Sequence, residues 1–343
     1  YALDDPIGKY LPEFAGGLKD SVTIRELLEH RSGLPADRDL WRLASSPEEA
    51  RQIVLATPLE YRPGTQYVYS DLGAMTLGFL VEKLSGQPLD QYLAQWVFQP
   101  LGMTNTFFRP PDSVKYRAAP TEDTPPRGYP LKGEVHDENA YALGGVAGHA
   151  GLFSTAADLS IFAQMILNGG EYNGTRIVGD STIRLFTHRA AGNRALGWAM
   201  ADGQWGSGRF LSDDAVGHGG YTGTSLWLDP QADLFVIVLS NRVHMGPRGT
   251  IHPLTSSIAD VALRAHKSGE RSELRAGIDV LEEESFARLR GRSVAILSHG
   301  AARDRAGVRT LDRLMAAPEV HVKAILAPEH GFDANREGHV QHQ

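Results

Sequence analysis

The sequence predicts an α+β protein in which a helical region and an antiparallel sheet share one large unit, followed by an incomplete, Rossmann-like α/β piece. Three observations lead there. Apolar residues recur with a helical period in several segments between Thr23 and Leu167. From Gly197 the period drops to two, and Ser225-Leu226-Trp227-Leu228 and Leu234–Leu239 flank a hairpin-like turn, Asp229-Pro230-Gln231-Ala232-Asp233. Beyond the polar stretch that begins at Lys267, strand, helix and strand patterns alternate.

In chain order, Thr23 is a plausible N-cap for an apolar stripe of Ile24, Leu27 and Leu28, with Gly33 as the stop and Pro35 beyond. A second helix is expected near Pro47–Leu55, then a turn at Arg62-Pro63-Gly64-Thr65. Tyr67-Val68-Tyr69 leads into a long helix over about Leu72–Leu84, ended by Gly86, and another follows over Leu89–Phe98. Residues 109–135 carry Pro110, Pro111, Pro120, Pro125, Pro126 and Pro130 and read as a long surface loop of the kind that borders clefts. Ser154-Thr155 caps a helix through Leu167, and Ile258, Val261, Ala262 and Leu263 suggest a helix covering the sheet. Val294–Leu297, Thr310–Met315 and Val320–Leu326 form a βαβ pattern. The expected domains are 1–266, a linker at 267–276, and 277–343.

Composition narrows the function. Charged residues are 22% and hydrophobic residues 42%, as in a globular protein, and 37 Gly with 19 Pro imply many loops. The net charge of −7 and the lack of dense Lys/Arg stretches argue against a nucleic-acid partner. The longest apolar run, Leu234–Leu239, is far below the ~18 residues of a membrane span. With 0 Cys, disulfides and thiolate metal sites are excluded; without a His-Glu-x-x-His pattern, no metal or other cofactor is expected.

Three segments could carry chemistry. Tyr69-Ser70-Asp71 sits where an extended stretch meets a helix, and a tyrosine there can act as a base only if nearby cations lower its pKa from ~10. His218-Gly219-Gly220-Tyr221 opens the sheet region; as an edge strand with glycines it could bind an extended acyl group and donate N–H to an oxyanion. The glycine-rich Gly144–Thr155 segment matches no phosphate loop, permits close packing, and holds His149, expected to be a hydrogen-bonded structural residue.

In order, Val22-Thr23-Ile24-Arg25-Glu26-Leu27-Leu28-Glu29-His30-Arg31-Ser32-Gly33-Leu34-Pro35, Tyr69-Ser70-Asp71 and His218-Gly219-Gly220 resemble the serine β-lactamase-related family of class C β-lactamases, D-Ala-D-Ala carboxypeptidases and penicillin-binding esterases. The resemblance spans roughly Tyr1 to His266 and implies a β-lactamase/transpeptidase-like fold. It makes Tyr69 the tyrosine of a Tyr-x-Asn motif, with Asp71 in place of asparagine. It makes His218-Gly219-Gly220 the counterpart of Lys-Thr-Gly, with an oxyanion-hole N–H from Tyr221. None of the lysines, Lys9, Lys19, Lys83, Lys115, Lys132, Lys267 and Lys323, has a serine three positions earlier, so the family's Ser-x-x-Lys nucleophile motif is missing from these residues. The resemblance puts that motif upstream of Leu3. The 343 residues are accordingly expected to be inactive as a hydrolase and poorly stable alone. A neutral His218 anchors a substrate carboxylate weakly, which favours an esterase or D-amino-acid peptidase over a β-lactamase.

Gly277–Leu281, Leu289–Ser298 and Ala327-Pro328-Glu329-His330-Gly331 resemble the start of the exo-β-N-acetylmuramidase family, with Glu329 and His330 just past a parallel strand. The resemblances imply a small-molecule or muropeptide substrate, a role in peptidoglycan turnover, and a periplasmic or secreted location. Two other readings stand beside the hydrolase: a non-catalytic muropeptide-binding module, and an exo-N-acetylmuramidase whose activity lies in the second domain.

Overall fold

A computed structural model describes residues 1–203, 205–244, 249–268, 277–297, 304 and 306–326. The chain divides into two units, Tyr1–Ser268 and Gly269–Gln343.

In the first unit, α1 (Ile24–Leu28) opens with a capping box: Thr23 Oγ1 accepts from Glu26 N, and the Glu26 carboxylate accepts from Thr23 N. The helix ends sooner than Gly33. His30 takes the left-handed conformation (φ 55°), His30 N donates to Leu27 O, and Arg31 N donates to Glu26 O. This is a Schellman closure with histidine at the position glycine usually fills. Helices α2 (Pro47–Ala56) and α3 (Asp71–Ser85) follow, and Gly86 ends α3 at φ 70°. Leu27, Leu72 and Met75 are almost fully buried within the core shared by these helices and Ile7, Leu11 and Phe14. Each such side chain contributes about 1.5–3 kcal/mol. The expected helix at 89–98 continues to Leu101 through a π-helical turn at Ala94–Phe98, and the 109–135 loop contains a short helix, Asp112–Lys115.

Helix α4 (Ala156–Leu167) is capped by Thr155, whose side chain accepts from Asp158 N. It precedes an antiparallel four-stranded sheet in chain order: β1 (Ala199–Met200), β2 (Val216–Gly219), β3 (Thr224–Asp229) and β4 (Leu234–Leu239). Ala163 of α4 shares a core with Met200, Val216 and Leu228, and α5 (His252–Ser268) packs beside β4. Gly217 faces Trp227 across the pair; a Cβ there would lie 2.4 Å from the indole ring, so only glycine admits this buried tryptophan. Strand β2 pairs with β1 on one side and β3 on the other, so it is not the edge strand expected. Its outer partner β1 pairs with Val216 and Gly217 alone, so the His218–Gly219 end extends past that partner.

The second unit contains α6 (Gly277–Glu283), β5 (Ser293–Leu297), α7 (Thr310–Ala316) and β6 (His321–Leu326). Strands β5 and β6 are parallel, as the βαβ pattern implied. Its core holds Ile278, Phe286, Ile296, Leu311, Leu314, Ala317 and Val320. No helix among the described residues is long and apolar enough to cross a membrane.

Candidate active site

Ser70 fixes the first element of the site. Its Oγ donates to Pro35 O at 2.6 Å and accepts from Gly73 N, capping α3. Its backbone N donates to His30 Nδ1 at 3.1 Å. Tyr69 is thereby set against His30, with ring centroids 4.5 Å apart, and against His218, 5.9 Å away on the end of β2. Tyr69 and His218, far apart in sequence, line one cavity. His30, which carried no assigned role in the sequence, lines it with them.

The two imidazoles hold opposite tautomers. His30 Nδ1 accepts a backbone proton, so its own proton is on Nε2. His218 Nδ1 lies 2.7 Å from Gly219 O, which can only accept, so Nδ1 carries the proton and Nε2 the lone pair. Burial, reinforced by the charges of Arg194 and His218, pushes His30 down to about 3. Burial likewise holds His218 below the ordinary imidazole range. Tyr69 moves the other way. Burial first, then the Asp71 charge, pushes its phenol up to about 12, although Arg194 opposes the shift. One cation stands beside Tyr69, yet desolvation wins. At neutral pH the cleft thus presents a phenol donor and, at His218 Nε2, an acceptor.

Arg194 escaped the sequence reading because nothing in its loop marks it. It is 5% exposed, its Nε donates to Tyr67 Oη at 3.1 Å, and its guanidinium lies 5.5 Å from the centroids of both Tyr67 and Tyr69. No local signal finds it; only the tertiary fold brings it to the tyrosines.

The cavity, about 500 Å³, is apolar away from its polar end, with Leu27, Leu77, Val81, Leu89, Leu93 and Phe108 in its walls. The glycine-rich segment forms one side. A Cβ on Gly148 would sit 2.1 Å from Ala74 O, so glycine lets the loop rest directly on α3. His149 also lines the cavity, and its Nε2 donates to the Asp137 carboxylate at 2.9 Å, the hydrogen-bonded role expected of it. Asp71 does not line the cavity. Burial, with the charges of Asp137 and Asp37, lifts its carboxyl to about 6 against the opposing pull of His149.

Gly219 and Gly220 lead from His218 into a tight turn, where Gly220 N donates to Thr224 O at 2.6 Å. Tyr221 is 64% exposed and stacks on His136 at 5.7 Å. The structure does not bring the Tyr221 ring to Tyr69. Glu329 and His330 lie outside the described residues. Among the described residues no three His, Cys, Asp or Glu side chains converge as a metal site. A second cavity, about 580 Å³, lies against Trp41, Arg109, Lys115, Glu134 and Tyr141; Gly144 and Gly145 of the glycine-rich segment line it, but Tyr69, His30 and His218 do not. The proline-rich loop borders that cavity.

A model of the Beta-lactamase family matches residues 1–259. An Escherichia coli K12 protein named as a candidate D-alanyl-D-alanine carboxypeptidase is 35% identical over 273 residues, which are 70% of this chain and 63% of that protein. The chain thus spans less than two thirds of this relative. Among solved structures, a penicillin-binding protein homolog from Caulobacter crescentus superposes with a TM-score of 0.60 at 20% identity, covering 77% of this chain and 76% of the other. EstCE1, described as a hydrolase with promiscuous acyltransferase activity, superposes with a TM-score of 0.58 at 27% identity, covering 75% and 77%. The chain belongs to the Beta-lactamase family and has its fold.

Proposed function

We propose that this member of the Beta-lactamase family provides the acyl-binding cleft of a serine hydrolase that cleaves an ester or a D-amino-acid peptide through an acyl-enzyme. The observation that carries the reading is the meeting of Tyr69 with His218 in one cavity, at the open end of β2. The carboxypeptidase-like relative and the similarity to EstCE1 support acyl chemistry. In this reading Gly219, Gly220 and the Tyr221 N–H receive the acyl group and its oxyanion, where aligned donors stabilise developing charge. Asp71 acts from outside the cavity, through its charge on Tyr69.

The attacking serine and its lysine lie, in this proposal, in polypeptide outside these 343 residues, and their helix seats in the apolar part of the cavity. The incoming ammonium adds a second cation beside Tyr69, whose pKa of about 12 is too high for a base at neutral pH. Residues 277–343 would then begin a muramidase-like domain, tying the protein to peptidoglycan turnover outside the cytoplasm with a muropeptide as substrate. The protonated Tyr69 favours one further reading, a muropeptide-binding module without chemistry.

A chromogenic ester decides between them. The 343 residues alone should give no burst, and the protein extended to include a Ser-x-x-Lys segment should give one that Ser→Ala removes. A burst from the 343 residues alone would overturn the placement of the nucleophile. No burst from the extended protein would leave the binding module.

A further inference from the structure

The second cavity takes no part in the acyl chemistry, and its walls suit a different ligand. Its volume of about 580 Å³ falls within the ~300–1,000 Å³ usual for small-molecule pockets. Two aromatic side chains line it, Trp41 from a one-turn helix (Leu40–Leu43) and Tyr141 from another short helix (Glu138–Ala142). A buried asparagine ties the two segments together. Asn139 Oδ1 accepts from Leu40 N at 2.8 Å, and its Nδ2 donates to Asp37 Oδ1 at 2.7 Å. The two rings are thus set relative to each other before a ligand arrives, which lowers the entropy lost on binding. The Arg127 guanidinium lies 4.5 Å from the Tyr141 ring centroid and donates to Val135 O and His136 O, fixing the loop wall beside that ring. Tyr141 nevertheless stays 42% exposed.

Charge decides what kind of ligand fits. Arg109 and Lys115 line the cavity, but each is already paired, with Asp90 and Asp112 respectively. Glu134 accepts from Tyr129 Oη at 2.9 Å and lies 3.8 Å from Arg127. An ionic ligand would have to break one of these pairs. A neutral, hydroxylated one can use the N–H groups and lone pairs they leave over, with the Ser45 and Ser46 hydroxyls beside them. Glycine keeps the space open. A Cβ on Gly133 would lie 2.7 Å from Lys115 Cγ, and one on Gly145 would lie 3.1 Å from Arg109 Cγ, so both stems rest on bare backbone. Gly144 and Gly145 thereby have a use distinct from that of Gly148, which packs on α3.

Aromatic rings bordered by both donors and acceptors match a pyranose, whose C–H faces are apolar and whose hydroxyls project around its edge. We propose that this cavity is a binding site for a neutral oligosaccharide, with a sugar ring packed on Trp41 and Tyr141. The inference stands apart from the acyl-hydrolase reading, since none of its groups lines the cleft of Tyr69 and His218.

The test is a titration of the 343-residue chain followed by NMR, with cellotriose and tri-N-acetylchitotriose as neutral probes and trigalacturonate as the anionic control. At least one neutral trisaccharide should bind saturably with a Kd of about 1 mM or tighter, and more tightly than trigalacturonate. The Trp41 and Tyr141 ring signals should shift while those of Tyr69 and His218 stay in place, a readout that needs no variant. Trp41→Ala and Tyr141→Ala should each weaken binding at least about tenfold. Tyr141→Phe, which keeps the ring, should retain most of the affinity and guards against an alanine variant that merely fails to fold. No saturable binding of either neutral sugar, affinity unchanged in both alanine variants, shifts at Tyr69 and His218 instead, or a preference for trigalacturonate would each overturn the proposal. The ester burst is read separately. A burst from the extended protein without sugar binding would sink this site and leave the hydrolase reading standing, and sugar binding without a burst would do the reverse.

Discussion

At the scale of single residues, the site is governed by desolvation more than by charge pairing. His30 shows this most clearly. Its folded pKa of about 3 lies below its ordinary 6.5, so the unfolded chain takes up the proton first as pH falls. The stability it confers is complete above pH 6.5 and is lost as pH drops towards 3. Asp71 has the opposite sign: its folded pKa of about 6 lies above 3.8, so its contribution is full below 3.8 and is lost as pH rises through 6. We expect His30→Gln to be less stable at pH 7 by about 1–3 kcal/mol, because Ser70 N–H loses its acceptor in the interior. Between pH 6.5 and 3 the variant should then lose less stability than the wild type, measured by urea midpoints at each pH. Parallel curves for the two proteins would contradict a buried neutral His30. Little of this was legible in the sequence. His30 occupies a left-handed position where the helix-stop rule looks for glycine, so the rule pointed to Gly33 and passed over the residue that touches Tyr69.

At the scale of elements, legibility followed how local the cause was. The Thr23 cap, the Gly86 stop and the hairpin at Asp229–Asp233 depend on neighbours a few residues away, and the structure has each where its chemistry predicts. The π turn at Ala94–Phe98 and the interior place of β2 depend on what packs against them, and pattern reading could not reach either. The glycine-rich loop lies between these cases. Its composition announces close approach without naming the partner, which is α3. Gly148 and Gly78 are mutually packed: a Cβ on Gly78 would lie 3.1 Å from Gly148 N, and one on Gly148 would strike Ala74 O at 2.1 Å. Gly148→Ala must therefore push the loop off the helix. Overpacking of this kind costs about 1–3 kcal/mol. Because His149 is the next residue, the substitution should also shift its ring resonances and those of Tyr69, whereas Gly86→Ala, with open space around it, should leave both unchanged. A stable Gly148→Ala variant with unaltered His149 signals would show that the contact is slack.

At the scale of the whole molecule, the two units are unequal in what holds them. The first contains several cores, the largest built on 15 buried residues from Ile7 to Leu80, and every residue lining the cleft belongs to it. Among its described residues the second rests on one cluster of seven buried side chains, two of them small, Ala317 and Val320. Small cores leave little net stability after chain entropy, and below about 70–80 residues a single core rarely supplies more than ~3–5 kcal/mol. The parallel pairing of β5 with β6 adds to the disadvantage, since it must close a loop through α7 before any ladder bond forms. Unfolding should accordingly proceed in two steps. Calorimetry of the 343-residue chain should resolve a small early transition and a larger late one, and brief proteolysis should first remove the part beyond Ser268. The late transition should keep its midpoint when residues 269–343 are deleted, and the His30 and Tyr69 signals of the shortened chain should match those of the full one. A single transition, or a midpoint that falls on deletion, would mean that the stability of the cleft-bearing unit is coupled to the α/β piece.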